Sequence, residues 1–181
     1  MSTSSLSVIK IGGSTINDWD KNLAQINQIL DMSQSIIIVH GGGKTVSEWG
    51  SKLGIRPEFV KGLRKTDKNN AVGISGLSGN MIKANISNQE LGLVGDIKTI
   101  NTDLIQNLIK NNFVPVISPL GINQNPNNID ESILNINADF VASEIAKTLR
   151  ANKLIYQTDV DGIKDEKGRI IPVSYTHLTL P

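Results

Sequence analysis

The chain has 181 residues, 39% of them hydrophobic, enough to bury the core of one domain or of one domain and part of a second. Its 18 basic and 17 acidic residues are scattered and leave a net charge of +1, so the basic stripe of a nucleic-acid binder is absent. There is no cysteine for disulfides, thiolate catalysis or Cys-ligated metals, no apolar run near the ~20 residues of a membrane span, and no apolar leader stretch in residues 1–7. These exclusions lead us to expect a cytoplasmic protein with neither nucleic-acid nor membrane partners.

In chain order, residues 8–11 (VIKI) read as a short buried strand ending in Gly12-Gly13-Ser14. Residues 18–34 carry Leu23, Ile26, Ile29 and Leu30 at helical spacing. Residues 36–39 are a second buried strand, which runs through His40 into Gly41-Gly42-Gly43. Residues 44–53 then place Val46, Trp49 and Leu53 on one helical face, with Gly54 as a stop. Strand, helix, strand, helix predicts a parallel sheet with crossover helices.

Residues 56–63 read as a connection that delivers Arg64, and 71–75 as another strand. Residues 81–86 and 93–99, around Gly92 and Gly95, predict an antiparallel hairpin. Asn101 or Thr102 can cap a helix whose face is Leu104, Ile105, Leu108 and Ile109. Residues 113–118 form a strand that Pro115 and Pro119 mark as irregular or at an edge. Residues 123–128 are a polar turn, Asn137 caps a helix over 138–151 with the stripe Val141, Ile145 and Leu149, and 154–157 return as a strand. The class is α/β.

Two glycine turns, each ending a buried strand, point to one anion held between them. Without a Cβ, backbone N–H groups can approach an anion closely, and a following helix N-terminus adds positive potential. GGGKT is not a P-loop, because Ile38 stands where a Walker A motif needs its first glycine. No glycine group here spells the dinucleotide fingerprint either. Either turn alone would read as a tight strand-to-helix connection; the pair, one preceded by Lys10, favours phosphate handling. Lys10 by itself reads equally as a strand-end lysine reaching solvent. His40 has no partner at a metal or catalytic spacing and is expected to be structural.

VIKIGGS, IIIVHGGGKTV, GLRKTD, LGLVGDI, FVPVISPLG, NINADFVASEIA and KLIYQTDVDGI, in this order over residues 8–162, resemble the amino acid kinase family. Within it they are most similar to the branch whose acceptor is N-acetyl-L-glutamate. Aspartokinases resemble the chain at the first glycine turn, but usually have a Phe and a Thr-Ser where Ile11 and Ser14-Thr15 stand here. The resemblance implies a three-layer αβα sandwich with a mainly parallel central sheet. It also implies ATP as phosphoryl donor, Mg2+ carried by the nucleotide and no protein-ligated metal. Residue by residue it implies that Lys10 and Asp139 are catalytic, Asp139 orienting lysines, and that Gly12, Gly13, Gly42 and Gly43 bind phosphate. Gly42 and Gly43 also serve the substrate, with Arg64 and Asn135, while Thr158, Asp159, Val160, Asp161 and Gly162 open the nucleotide site. Unaided, Arg64 would read as a solvated arginine, and Asn135 and Asp139 as turn and first-turn helix residues.

Against the family pattern, about 30 residues, a supersecondary unit's worth, are absent between Asp67 and Ala71. Further on, a C-terminal part on the order of 100 residues is missing, and residues 173–181 (VSYTHLTLP) do not resemble the family. The expected organisation is an acceptor-binding and catalytic lobe over 7–153, the start of an ATP lobe over 154–172 and a non-native tail over 173–181. A fragment of this kind is expected to be inactive, from a full-length parent that is an arginine-insensitive homodimer. Two alternatives stand beside this reading: a kinase for carrier-protein-bound aminoadipate, and a non-catalytic ligand-binding module.

Overall fold

In a computed structural model of the chain, residues 5–12, 35–41, 58–60, 63–65, 70–157 and 169 are described, with 58–60, 63–65 and Asn70 described by backbone alone. The helices expected over 18–34 and 44–53 lie outside these residues.

Five strands form one sheet: β1 (Leu6–Ile11), β2 (Ser35–His40), β5 (Asn70–Ser75), β8 (Phe113–Ser118) and β11 (Lys153–Gln157). Their order is β11-β1-β2-β8-β5, and every pairing is parallel. The apolar runs in β1 and β2 follow from this position, since both faces of a central parallel strand are covered. On one face Val8, Ile37 and Val39 pack with the rest of the main core; on the other, Ile9, Ile11, Ile36, Ile38 and Val116 form a second buried cluster.

Four further strands close into a small barrel: β6 (Ile82–Ile86), β7 (Val94–Ile100), β9 (Leu120–Asn123) and β10 (Ile133–Ile136), in the order β10-β7-β6-β9. The expected hairpin is its β6–β7 pair, antiparallel as predicted, with Gly92 at φ 66° in its connection. β9 and β10 were not expected as strands. Two glycines let the barrel close: a Cβ on Gly95 would lie 2.7 Å from Leu134 Cδ1, and one on Gly121 3.1 Å from Ile136 Cδ1. A third, Gly76, sits where the chain passes from β5 towards β6, and a Cβ there would lie 1.7 Å from the Leu120 carbonyl oxygen.

The edge position expected for residues 113–118 is corrected. β8 lies between β2 and β5, an interior place. Pro115 is in register with Val72 of β5, whereas registered pairing with β2 covers only Val116 and Ile117, so the short ladder to β2 begins just after the proline. Pro119 does mark an irregularity, separating sheet strand β8 from barrel strand β9, and its carbonyl accepts the Ile136 N–H at 2.9 Å. The connection expected over 56–63 and the Arg64 it delivers fall in a two-stranded antiparallel hairpin, β3 (Glu58–Val60) with β4 (Leu63–Lys65).

Two α-helices lie among the described residues. α1 (Asp103–Lys110) buries Ile105, and its start is served by Asn101, whose Oδ1 accepts the Asp103 N–H at 2.9 Å. α2 (Ala138–Thr148) buries Ala138, Val141, Ala142 and Ile145, an i, i+3, i+4, i+7 stripe laid against the β1 side of the core. Asn137 caps it as expected, accepting the Asp139 N–H at 2.8 Å. The main core joins sheet, barrel and both helices in one cluster, from Val8 and Ile37 through Ile82 and Leu134 to Ile105 and Ile145.

Candidate active site

Parallel strands present their carboxyl ends along one edge, where open α/β sheets bind ligands. Here that edge gathers the ends of β1, β2 and β11. The Gly41 N–H donates to the Ile11 carbonyl at 2.9 Å and the Gly12 N–H to the Gln157 carbonyl at 3.0 Å. The beginnings of both glycine turns and the last residue before the expected nucleotide segment are therefore tied together by hydrogen bonds.

Lys10 lies on β1 between Val39 of β2 and Tyr156 of β11. In-register partners in a parallel sheet point to the same face, and here that face is covered by α2. The Lys10 side chain is only 15% exposed, so its ammonium needs a counter-charge more than water can supply. Asp139, in the first turn of α2, supplies it: Lys10 Nζ is 2.9 Å from Asp139 Oδ1. Asp139 is itself 49% exposed, so the pair has one side in the protein and one towards solvent. A solvent-reaching Lys10 is thus not what the fold produces. The carboxylate also sits where the helix dipole favours negative charge.

The other expected residues distribute as follows. Asn135 is on barrel strand β10, opposite Val94 and Leu120, exposed, and β10 runs directly through Asn137 into α2. Arg64 is on β4, opposite Phe59. Gly12 follows the last residue of β1, and its N–H donates to the Gln157 carbonyl. Gly13, Gly42, Gly43 and Thr158–Gly162 (residues 158–162) lie outside the described residues. His40 is buried at the end of β2, in register with Ile11, as a structural residue should be. Among the described residues no group of three His, Cys, Asp or Glu side chains could hold a metal ion, and no helix is long and apolar enough to cross a membrane.

Two residues at this site escaped the sequence reading. Ser143 Oγ donates to the Asp139 carbonyl at 2.8 Å and lies 2.6 Å from Tyr156 Oη. The i, i+4 spacing of Asp139 and Ser143 on a helix was the available signal; nothing local pointed to Tyr156.

Curated relatives named acetylglutamate kinase match most of the chain. The protein from Aquifex aeolicus is 33% identical over 210 residues, covering 91% of this chain and 69% of that one. Those from Hydrogenobaculum sp. and Caldicellulosiruptor saccharolyticus are 34% and 36% identical, covering 91% and 89% of this chain and 68% and 66% of theirs. An alignment of 210 residues that takes in 91% of a 181-residue chain leaves stretches of the relative with no counterpart here, in line with the internal shortening read from the sequence. Among solved structures, smu.665 from Streptococcus mutans UA159 superposes with a TM-score of 0.62 at 26% identity, over 89% of this chain and 75% of that one. N-acetylglutamate synthase from Neisseria gonorrhoeae does so with 0.59 at 19% identity, over 91% and 46%, a likeness of fold. A family profile described as Amino acid kinase family matches residues 5–179. With a parallel α/β sheet, a lysine–aspartate pair at its carboxyl edge and these relatives in agreement, the chain belongs to the amino acid kinase family.

Proposed function

We propose that this kinase-family chain serves an acetylglutamate kinase of arginine biosynthesis, a cytoplasmic enzyme that moves the γ-phosphoryl of ATP onto the side-chain carboxylate of N-acetyl-L-glutamate. The observation that carries the reading is the Lys10–Asp139 pair at 2.9 Å, set where the first glycine turn begins. The names of the 33–36% identical relatives support the acceptor.

The chemistry needs little from the protein beyond positioning and charge. A glutamate-type carboxylate, with an ordinary pKa of about 4.3, is already ionised at neutral pH and needs no general base. Its oxygen forms the new P–O bond as the bond to the ADP leaving oxygen breaks, giving an acyl phosphate. Negative charge on the transferring group must be held while this happens. Lys10 supplies a fixed positive charge, and Asp139 keeps its ammonium aimed. The N–H groups of Gly13, Gly42 and Gly43 complete the phosphate cradle. Arg64 offers its planar fork to a substrate carboxylate, and Asn135 holds the amino-acid end. Residues 158–162 begin the nucleotide contacts, and Mg2+ enters with ATP as part of the substrate.

In this reading residues 7–153 are the acceptor-binding and catalytic lobe, and 154–172 begin the ATP lobe. The boundary falls within β11, which is paired along its length with β1, so the lobes share a continuous sheet. A homodimer of the full-length parent completes the proposal.

Calorimetric titration tests the acceptor directly and needs no turnover. N-acetyl-L-glutamate is expected to bind in preference to glutamate, aspartate and a peptide-linked aminoadipate, and Arg64→Ala to weaken it about tenfold or more. Preference for the linked aminoadipate, or no heat with N-acetylglutamate, overturns the assignment. Adding MgATP and hydroxylamine traps any acyl phosphate as its hydroxamate, which reads the transfer step itself.

A further inference from the structure

The Lys10–Asp139 pair is held from two adjacent strands, and only one of them belongs to the machinery described so far. Lys10 on β1 grips the Asp139 carboxylate at 2.9 Å. Tyr156 is its in-register neighbour on β11, on the same face of the sheet. The Tyr156 hydroxyl lies 2.6 Å from Ser143 Oγ and 3.5 Å from the Asp139 carbonyl oxygen, and Ser143 Oγ donates to that same carbonyl at 2.8 Å.

The proton count gives this cluster a direction. A serine hydroxyl has one hydrogen. Of the two hydroxyls near the Asp139 carbonyl, Ser143 is the closer donor at 2.8 Å against 3.5 Å for Tyr156, so the arrangement with the shorter bonds has Tyr156 donating to Ser143 across the 2.6 Å contact. The result is a two-step chain from phenol to serine hydroxyl to the Asp139 carbonyl, in which each bond polarises the next. A serine bonding back four residues ordinarily loosens a helix slightly by pulling at that carbonyl. Here a second donor from a neighbouring strand anchors the serine, so the first turn of α2 is tied to β11 at the residue whose side chain holds Lys10.

We infer that Tyr156 and Ser143 are positioning residues which fix the main chain of Asp139, and through it the Lys10 ammonium. The relevance of this anchoring to phosphoryl transfer rests on the function proposed for Lys10. It adds a functional consequence: β11 leads directly into residues 158–162, so the strand that opens the proposed nucleotide segment also clamps the lysine–aspartate pair. A shift of β11 would reach Lys10 through the phenol.

Lysine labelling at limiting acetic anhydride, read peptide by peptide by mass spectrometry on the 181-residue chain, tests this without turnover. Lys10 is expected to label slowly in the parent protein and faster in Asp139→Asn. Loss of one hydrogen bond of the chain in Tyr156→Phe or Ser143→Ala is expected to raise the Lys10 rate about fivefold. Lys110 and Lys147 should keep their rates, and Ser143→Thr, which retains a hydroxyl able to bond back, should restore slow labelling of Lys10. Tyr156→Phe keeps the ring, so packing is preserved, and an unchanged thermal midpoint separates positioning from general loosening. Unchanged Lys10 labelling in both Tyr156→Phe and Ser143→Ala overturns the inference, as does an increase shared by Lys110 and Lys147. A kinase assay that fails while the labelling pattern holds would refute the proposed reaction and leave the clamp standing.

Discussion

The parallel sheet and the small barrel solve the same burial problem in opposite ways. In the sheet, β2 is buried at five successive positions, because both of its faces are covered. In the barrel, β10 alternates exposed and buried, with Leu134 and Ile136 inward and Ile133 and Asn135 outward. The sheet reaches density with large β-branched side chains, and the barrel by removing side chains at Gly95 and Gly121 so that Leu134 and Ile136 can fill a narrow interior. Each region contributes one expected ligand-side residue: Lys10 stands on the sheet and Asn135 on the barrel, and α2 connects them. The lesson is that a single core can position two halves of a site only if both regions fold as one.

Removing core volume from each side is the strongest way to challenge that view. Ile37→Ala in the sheet and Leu134→Ala in the barrel, both fully buried, should each cost about 2–5 kcal/mol, read as a shift of one urea transition followed by fluorescence and circular dichroism. Separate transitions for the two variants would break the single-core view. Next in size, Gly95→Ala should destabilise by about 1–3 kcal/mol through over-packing, since its Cβ would meet Leu134 Cβ at 2.9 Å and Ile136 Cδ1 at 3.0 Å. A neutral result in thermal melts would show that the barrel interior has room to give.

Asn137→Ala removes the cap that accepts the Asp139 N–H and should cost about 1 kcal/mol. It acts at the joint between barrel and helix, so it should also speed Lys10 labelling; an unchanged rate would mean the sheet alone holds the pair. The smallest effect concerns the far end of α2. There Arg150 adopts φ 50°, with Ala151 N–H bonded to the Ala146 carbonyl at 2.8 Å and Arg150 N–H to the Lys147 carbonyl at 3.1 Å. This is a helix stop that favours glycine, so Arg150→Gly should be neutral or stabilising by up to about 1 kcal/mol in the same melts. A loss of stability would mean the arginine side chain contributes more than its backbone strain costs.

Legibility in the sequence tracked how local each signal was. Continuous apolar runs exposed β1, β2 and β11, helical spacing with an Asn cap exposed α2, and paired glycines exposed the hairpin β6–β7. β9 and β10 are four residues each and are held by partners distant in the chain, so no local period announced them. Pro115 misled for a related reason. Proline forbids a ladder bond only where one would form, and which residues of β8 meet β2 is a property of the assembled sheet. At the site, resemblance linked Asp139 to the catalytic lysines, but its 2.9 Å contact with Lys10 joins residues on β1 and α2 that no sequence spacing relates.

The sequence by itself determined the α/β class, the order of the sheet-forming segments and the chemical types available at the site: a cation, glycine turns, a carboxylate and an absence of thiols. These are consequences of hydrophobic period, turn chemistry and composition, each local to a few residues. Only the tertiary structure decided that β8 is interior, that four short strands close on themselves, and that a tyrosine, a serine, a lysine and an aspartate converge at one corner. Convergence of that kind depends on the registers of β1, β11 and α2 against one another, which are set by packing between distant segments and not by the residues next to each in the chain.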